Sequence, residues 1–128
     1  MKSILIIMSL CLAAAPGKVF FKNLKDGQEV PAKFKVEMGV EGMSLRPAGQ
    51  DATDKMTGHH HLIVNGGFIK AGEVIPANDT HLHFGKAQTE TEIDLKKPGT
   101  YTLTLQLADG AHRSYGEKYS SSIKVIVK

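Results

Sequence analysis

Lys97-Pro98-Gly99-Thr100-Tyr101-Thr102-Leu103-Thr104-Leu105-Gln106-Leu107 joins a Pro-Gly turn to a run of strict alternation. Tyr101, Leu103, Leu105 and Leu107 fall on one side of an extended chain; Thr102, Thr104 and Gln106 fall on the other. A period of two sustained over seven residues marks a β-strand with its apolar side in a core and its polar side outward. The stretch therefore predicts a sheet protein, and the neighbouring segments can be tested against it.

They agree. Downstream, Ser122-Ile123-Lys124-Val125-Ile126-Val127 alternates to the end of the chain. Upstream, Thr89, Thr91, Ile93 and Leu95 alternate with Glu90, Glu92 and Asp94, and Phe34, Val36, Met38 and Val40 alternate with charged or small residues. Lys18–Phe21, His59–Asn65 and His81–Phe84 read as three further strands. Asp26-Gly27, Gly66-Gly67 and Pro98-Gly99 supply turn chemistry between them. No segment keeps the apolar spacing of three and four that a helix needs. The expected fold is all-β, an immunoglobulin-like antiparallel β-sandwich of about seven strands, with Phe34, Val36, Leu62, Val64, Leu103, Leu105, Val125 and Val127 in its core. Tyr101, just past a turn at the head of the penultimate long strand, has the position of the tyrosine corner of such sandwiches. In that lettering Phe34–Val40 is strand B, His59–Val64 is C, His81–Phe84 is D or C′, Thr89–Leu95 is E, Tyr101–Leu107 is F and Ile123–Val127 is G.

The 128 residues suffice for one domain. Residues 1–15 read as a signal peptide: Lys2, then the apolar run Ile4 to Leu12, then the small residues Ala13 to Ala15. That run is far short of the ~20 residues that span a bilayer, so no membrane span is expected. Residues 16–128 would form the single exported domain, placed in the periplasm. Cys11 is the only cysteine, and bulky Leu10 before it argues against a lipid anchor. A mature chain without cysteine excludes disulfides, thiolate metal sites and cysteine nucleophiles. The net charge is +3 with scattered lysines and few aromatics, so nucleic acid is not an expected partner. No Gly-x-Ser-x-Gly and no phosphate-cradling Gly-rich loop is present, and no catalytic set stands out.

What does stand out is histidine. Three of six sit together in Gly58-His59-His60-His61-Leu62-Ile63-Val64, two more in His81-Leu82-His83-Phe84, and the last is His112. On a strand, residues i and i+2 share a face about 6.5–7 Å apart. Two imidazoles so placed can lean onto one ion at about 2.0–2.1 Å each. Leu62 and Val64 claim the core side, which puts His60 on the buried line as a hydrogen-bonded core residue and His59 and His61 on the other face. His81 and His83 likewise share the face opposite Leu82 and Phe84. His59, His61, His81 and His83 form the expected nitrogen-rich site, with His112 as a fifth ligand and Glu90 as a carboxylate ligand or supporting partner. Met56 could add a thioether. Imidazole suits copper or zinc, among others. The ion would need neutral rings, so binding should weaken below about pH 6.

Gly58-His59-His60-His61-Leu62-Ile63, His81-Leu82-His83-Phe84-Gly85 with Gln88-Thr89-Glu90, and Pro98-Gly99-x-Tyr101-Thr102-Leu103-x-Leu105-x-Leu107-x-Asp109 together resemble a family of small exported bacterial proteins. That family is described as domain of unknown function 4399. The likeness runs from Val19 to Val127. It implies a periplasmic, single-domain bacterial protein and brings no activity with it. The reading from the residues is a metal-binding protein, a copper or zinc buffer or carrier. Its rival is a non-enzymatic module that binds another periplasmic protein and whose histidines are structural. A metal-dependent redox enzyme ranks third.

Overall fold

A computed structural model describes residues 17–128; the expected signal segment, 1–15, lies outside the described residues. Nine strands follow in order: β1 (Lys18–Phe21), β2 (Gln28–Val30), β3 (Lys33–Glu41), β4 (Ser44–Leu45), β5 (Thr57–Val64), β6 (His81–His83), β7 (Glu90–Asp94), β8 (Gly99–Ala108) and β9 (Ser120–Val127). A single 3₁₀ turn, Glu117–Tyr119, precedes β9. One sheet has the order β1-β3-β7, and the other β2-β9-β8-β5-β4, with β6 also on β5.

These pairings are those of an immunoglobulin-like sandwich: strands A, B and E in one sheet, C, F and G in the other. Because His81–His83 pairs with β5, it takes the place of C′ rather than D. Tyr101 makes the tyrosine corner, its hydroxyl donating to the carbonyl of Lys97 at 2.8 Å and to that of Leu95 at 3.2 Å. The alternation of β8 reads through directly. Leu103, Leu105 and Leu107 are fully buried against Val36, Met38, Ile93 and Val125, and Val64 and Tyr101 pack half-buried at the margin.

Two strands have no counterpart in the sequence reading. β2 and β4 are three and two residues long, too short for any periodicity, and each exists by adding in parallel to a longer neighbour, β9 and β5 respectively. The sheets are therefore mainly, not wholly, antiparallel.

A second difference matters more for function. The polar side of β8 is dry over its second half: Thr104 and Gln106 are both 0 % exposed. The 66–75 loop crosses the outer face of this sheet and is held by those same residues. Thr104 Oγ1 donates to the Gly66 carbonyl at 2.7 Å, and Gln106 Oε1 accepts the Ile69 N–H at 3.0 Å. On its other side the loop is laced to the segment before β9. Ser114 Oγ donates to the Ile69 carbonyl at 2.6 Å, the Gly72 N–H to the Ser114 carbonyl and the Ile75 N–H to the His112 carbonyl, both at 2.8 Å. Ile63 and Ile75 are buried under this cover, apart from the main core. Polar side chains stay inside because every one of these is hydrogen-bonded. The outer face of β5 is thus a second interior, and His59 and His61 are buried on it.

Candidate metal centre

His59 and His61 are successive outward residues of β5, a strand bonded to β8 along one edge and to β4 and β6 along the other. The antiparallel register sets His61 opposite His83 and Ile63 opposite His81. That single step decides which member of the His81/His83 pair reaches the site. In this position the His83 ring needs glycine two residues on: a Cβ on Gly85 would lie 2.3 Å from His83 Cε1, so the ring rests on the Gly85 backbone. His112 arrives from the loop after β8, in the left-handed region at φ 64, where histidine is among the more tolerated residues.

Asp109 builds that loop. Its Oδ1 accepts the N–H groups of Ala111 and Arg113, each at 2.9 Å, and its Oδ2 accepts Arg113 Nε at 3.0 Å. The His112 N–H closes onto the Asp109 carbonyl at 2.9 Å. Burial alone would raise the Asp109 pKa, but the Arg113 and Ala111 N–H groups and the Arg113 guanidinium outweigh it and hold the carboxyl below its usual value. Asp109-Gly110 reads in the sequence as a plain turn; its work of aiming His112 has no sequence signal beyond that.

The four rings meet. Each of His59, His61, His83 and His112 offers one nitrogen, and the four nitrogens all lie within 4.8 Å of one another. Ring centroids are 4.6–5.9 Å apart. His59 Nε2 is the centre of contact, 3.0 Å from His61 Nε2 and 3.2 Å from His112 Nδ1. Four nitrogens around one tetrahedral ion at 2.0–2.1 Å stand about 3.3 Å apart, close to these separations. His59 and His61 are buried, His112 is half-buried and His83 is exposed.

Neither buried ring can hold a charge of its own. Burial, with repulsion from His83 and His112, pushes His59 down to about 4. Burial and repulsion from His59, His83 and His112 push His61 down to about 2. Burial and the nearby His112 lower His83 as well. So His59 and His61 are neutral at neutral pH, the form in which a ring can bind a metal.

A family model described as a domain of unknown function matches residues 36–128. The chain belongs to the DUF4399 family. No curated protein and no solved structure matches it. The matched region holds all six histidines and the tyrosine corner, so the cluster of this DUF4399 chain falls wholly within the family's extent.

The remaining expected residues lie elsewhere. His81 shares a strand face with His83 but stands two register pairs further along, where its ring bonds Asn78 Oδ1 and Thr80 Oγ1, both at 3.0 Å. Glu90 begins β7, in the opposite sheet, and its carboxylate pairs with Lys35 at 3.1 Å. Met56 is exposed. His60 takes the core side opposite Leu107, as its alternation requires. It is not the hydrogen-bonded core residue expected, however: neither ring nitrogen has a partner among the described residues. The site thus draws its fourth nitrogen from His112, not from His81 or Glu90.

Proposed function

We propose that this protein is a periplasmic metal-binding protein that holds one copper or zinc ion on His59, His61, His83 and His112, as a buffer or carrier. One observation carries this reading. His59 Nε2 meets two other ring nitrogens at hydrogen-bond distance. A neutral ring nitrogen has either one N–H or one lone pair, so protons alone satisfy only one of the two contacts well. A cation accepts lone pairs from every ring at once. The donor set, nitrogen without thiolate or carboxylate, suits copper or zinc. Four protein ligands complete a tetrahedral shell with no open position, which fits holding an ion better than catalysis on it. Export rests on the pattern of residues 1–15.

The test is elemental analysis of untagged protein isolated from the periplasm, followed by titration of the metal-free form with Cu²⁺ and Zn²⁺. One ion per chain is expected, lost in a His61→Ala variant and kept in His81→Ala. Protein that carries no metal and takes up neither ion would hand the assignment to the rival, a protein-binding module with structural histidines.

A further inference from the structure

Two of the four imidazoles are fixed on a central strand, one ends a short strand and one rides on a loop. His59 and His61 are 0 % and 1 % exposed, on a strand bonded along both edges. His83 ends a strand of only three residues, and His112 sits in the turn built by Asp109. A third segment touches both outer ligands' supports: the 46–56 loop between β4 and β5. The Ala48 N–H donates to the Gly85 carbonyl at 2.8 Å, and the next N–H, that of Gly49, donates to the Gly110 carbonyl at 2.9 Å. Gly85 is the residue on which the His83 ring rests. Gly110 lies two before His112 and fits the loop closely; a Cβ there would come within 2.7 Å of the Gln50 carbonyl oxygen and 2.8 Å of Ala52 Cα. Gly49 has φ 84, a conformation that lets two successive N–H groups point at two different segments.

Building on the metal-binding reading above, we propose that the ion enters and leaves past His83 and His112, and that the 46–56 loop is a strap, clipped to both their segments, that tightens when the ion is bound. The inner pair cannot move without breaking β5 out of its sheet. The outer pair is held less firmly, His83 at the end of the three-residue strand β6 and His112 in a turn, and the strap bonds the segments of both. An ion that fixes both outer rings restricts the segments under them, and so disfavours opening of the two N–H···O bonds. Linkage makes the effect reciprocal: whatever loosens the strap must weaken the ion's hold by the same factor. The strap is then the part of the surface whose order differs between the loaded and the empty protein.

Amide hydrogen exchange at Ala48 and Gly49, followed by NMR with and without Zn²⁺, tests this. Exchange of both should slow about tenfold or more in the zinc-loaded protein, within the usual range of such couplings. An Ala48→Pro variant, which removes the N–H facing Gly85, should keep the same zinc stoichiometry and release zinc to a chelator several-fold faster. Zinc binding at one per chain with unchanged exchange at both amides overturns the strap and leaves the metal-binding reading standing. Failure of both zinc and copper to bind overturns the two together. Should the variant not fold, exchange on the wild-type protein decides alone.

Discussion

His60 is the residue most at odds with its surroundings. It is fully buried on the core side of β5, both ring nitrogens lack a partner among the described residues, and burial pushes its pKa down to about 4. An unpaired buried polar group costs about 1–3 kcal/mol, and leucine fills a similar volume without that cost. His60→Leu should therefore raise unfolding free energy by about 1–3 kcal/mol at pH 7.5, read by urea denaturation, with the metal stoichiometry unchanged. A loss of stability would mean that the ring has a partner after all. His60 also shows how far alternation carries a site. That His59 and His61 share a face and His60 opposes them is legible in three consecutive letters. Which of His81 and His83 joins them is not, because it depends on a register set across the sixteen residues from Asn65 to Thr80. Glu90 could have been set aside from sequence: the lettering that makes Thr89–Leu95 strand E already assigns it to the sheet of strand B, away from strand C.

Among the elements, β8 carries the most. It pairs with β9 over Gly99–Gln106 and with β5 over Leu103–Ala108, and its inward leucines form the floor of the core. Leu105 is fully buried, so Leu105→Ala should cost about 2–5 kcal/mol. The corner at its start is separable from this. Tyr101→Phe keeps the ring and removes the two bonds to the Lys97 and Leu95 carbonyls, which should cost about 1–1.5 kcal/mol in chemical denaturation. A neutral result would show that the corner is not a stabilising contact here. The long strands were legible because each buries a full line of apolar side chains. What alternation could not tell is whether a polar face is wet. Thr102, Thr104 and Gln106 look like a solvent line, yet Thr104 and Gln106 anchor the 66–75 loop across the outer face of the sheet. Short polar side chains serve equally as a hydrated surface and as hooks for a loop, and only the loop's path separates the two.

At the scale of the whole molecule, these buried rings link folding, pH and metal. His59, His60 and His61 have pKa values pushed down to about 4, 4 and 2 in the folded protein, against about 6.5 for an unfolded chain. As pH falls below 6.5 the unfolded state takes up protons that the folded state refuses, so stability must fall with acid. The loss runs from about pH 6.5 down to about pH 4 for His59 and His60, and further for His61. At pH 5 each ring costs about 2 kcal/mol relative to pH 7.5, so the three together remove about 6 kcal/mol, a large part of the stability of an ordinary domain. The metal-free protein should thus unfold in mild acid, with a slope near 4 kcal/mol per pH unit around pH 5. A bound ion opposes this without competing with protons at the inner rings, which stay neutral down to about pH 4. At a hundredfold excess over its dissociation constant it adds about 2.7 kcal/mol, which on that slope moves the acid midpoint down by about 0.7 pH unit. Circular dichroism through an acid titration, with and without zinc, reads both numbers, the chain having no tryptophan to report by fluorescence. His60→Leu should cut the slope by about a third while keeping the zinc stabilisation, because its ring titrates with folding but faces the core rather than the ion, so the same ion should move the midpoint by about 1 pH unit. Stability that stays level between pH 7 and pH 5 would mean that these rings are not held neutral, and the case for a dry, lone-pair-rich centre would fall with it.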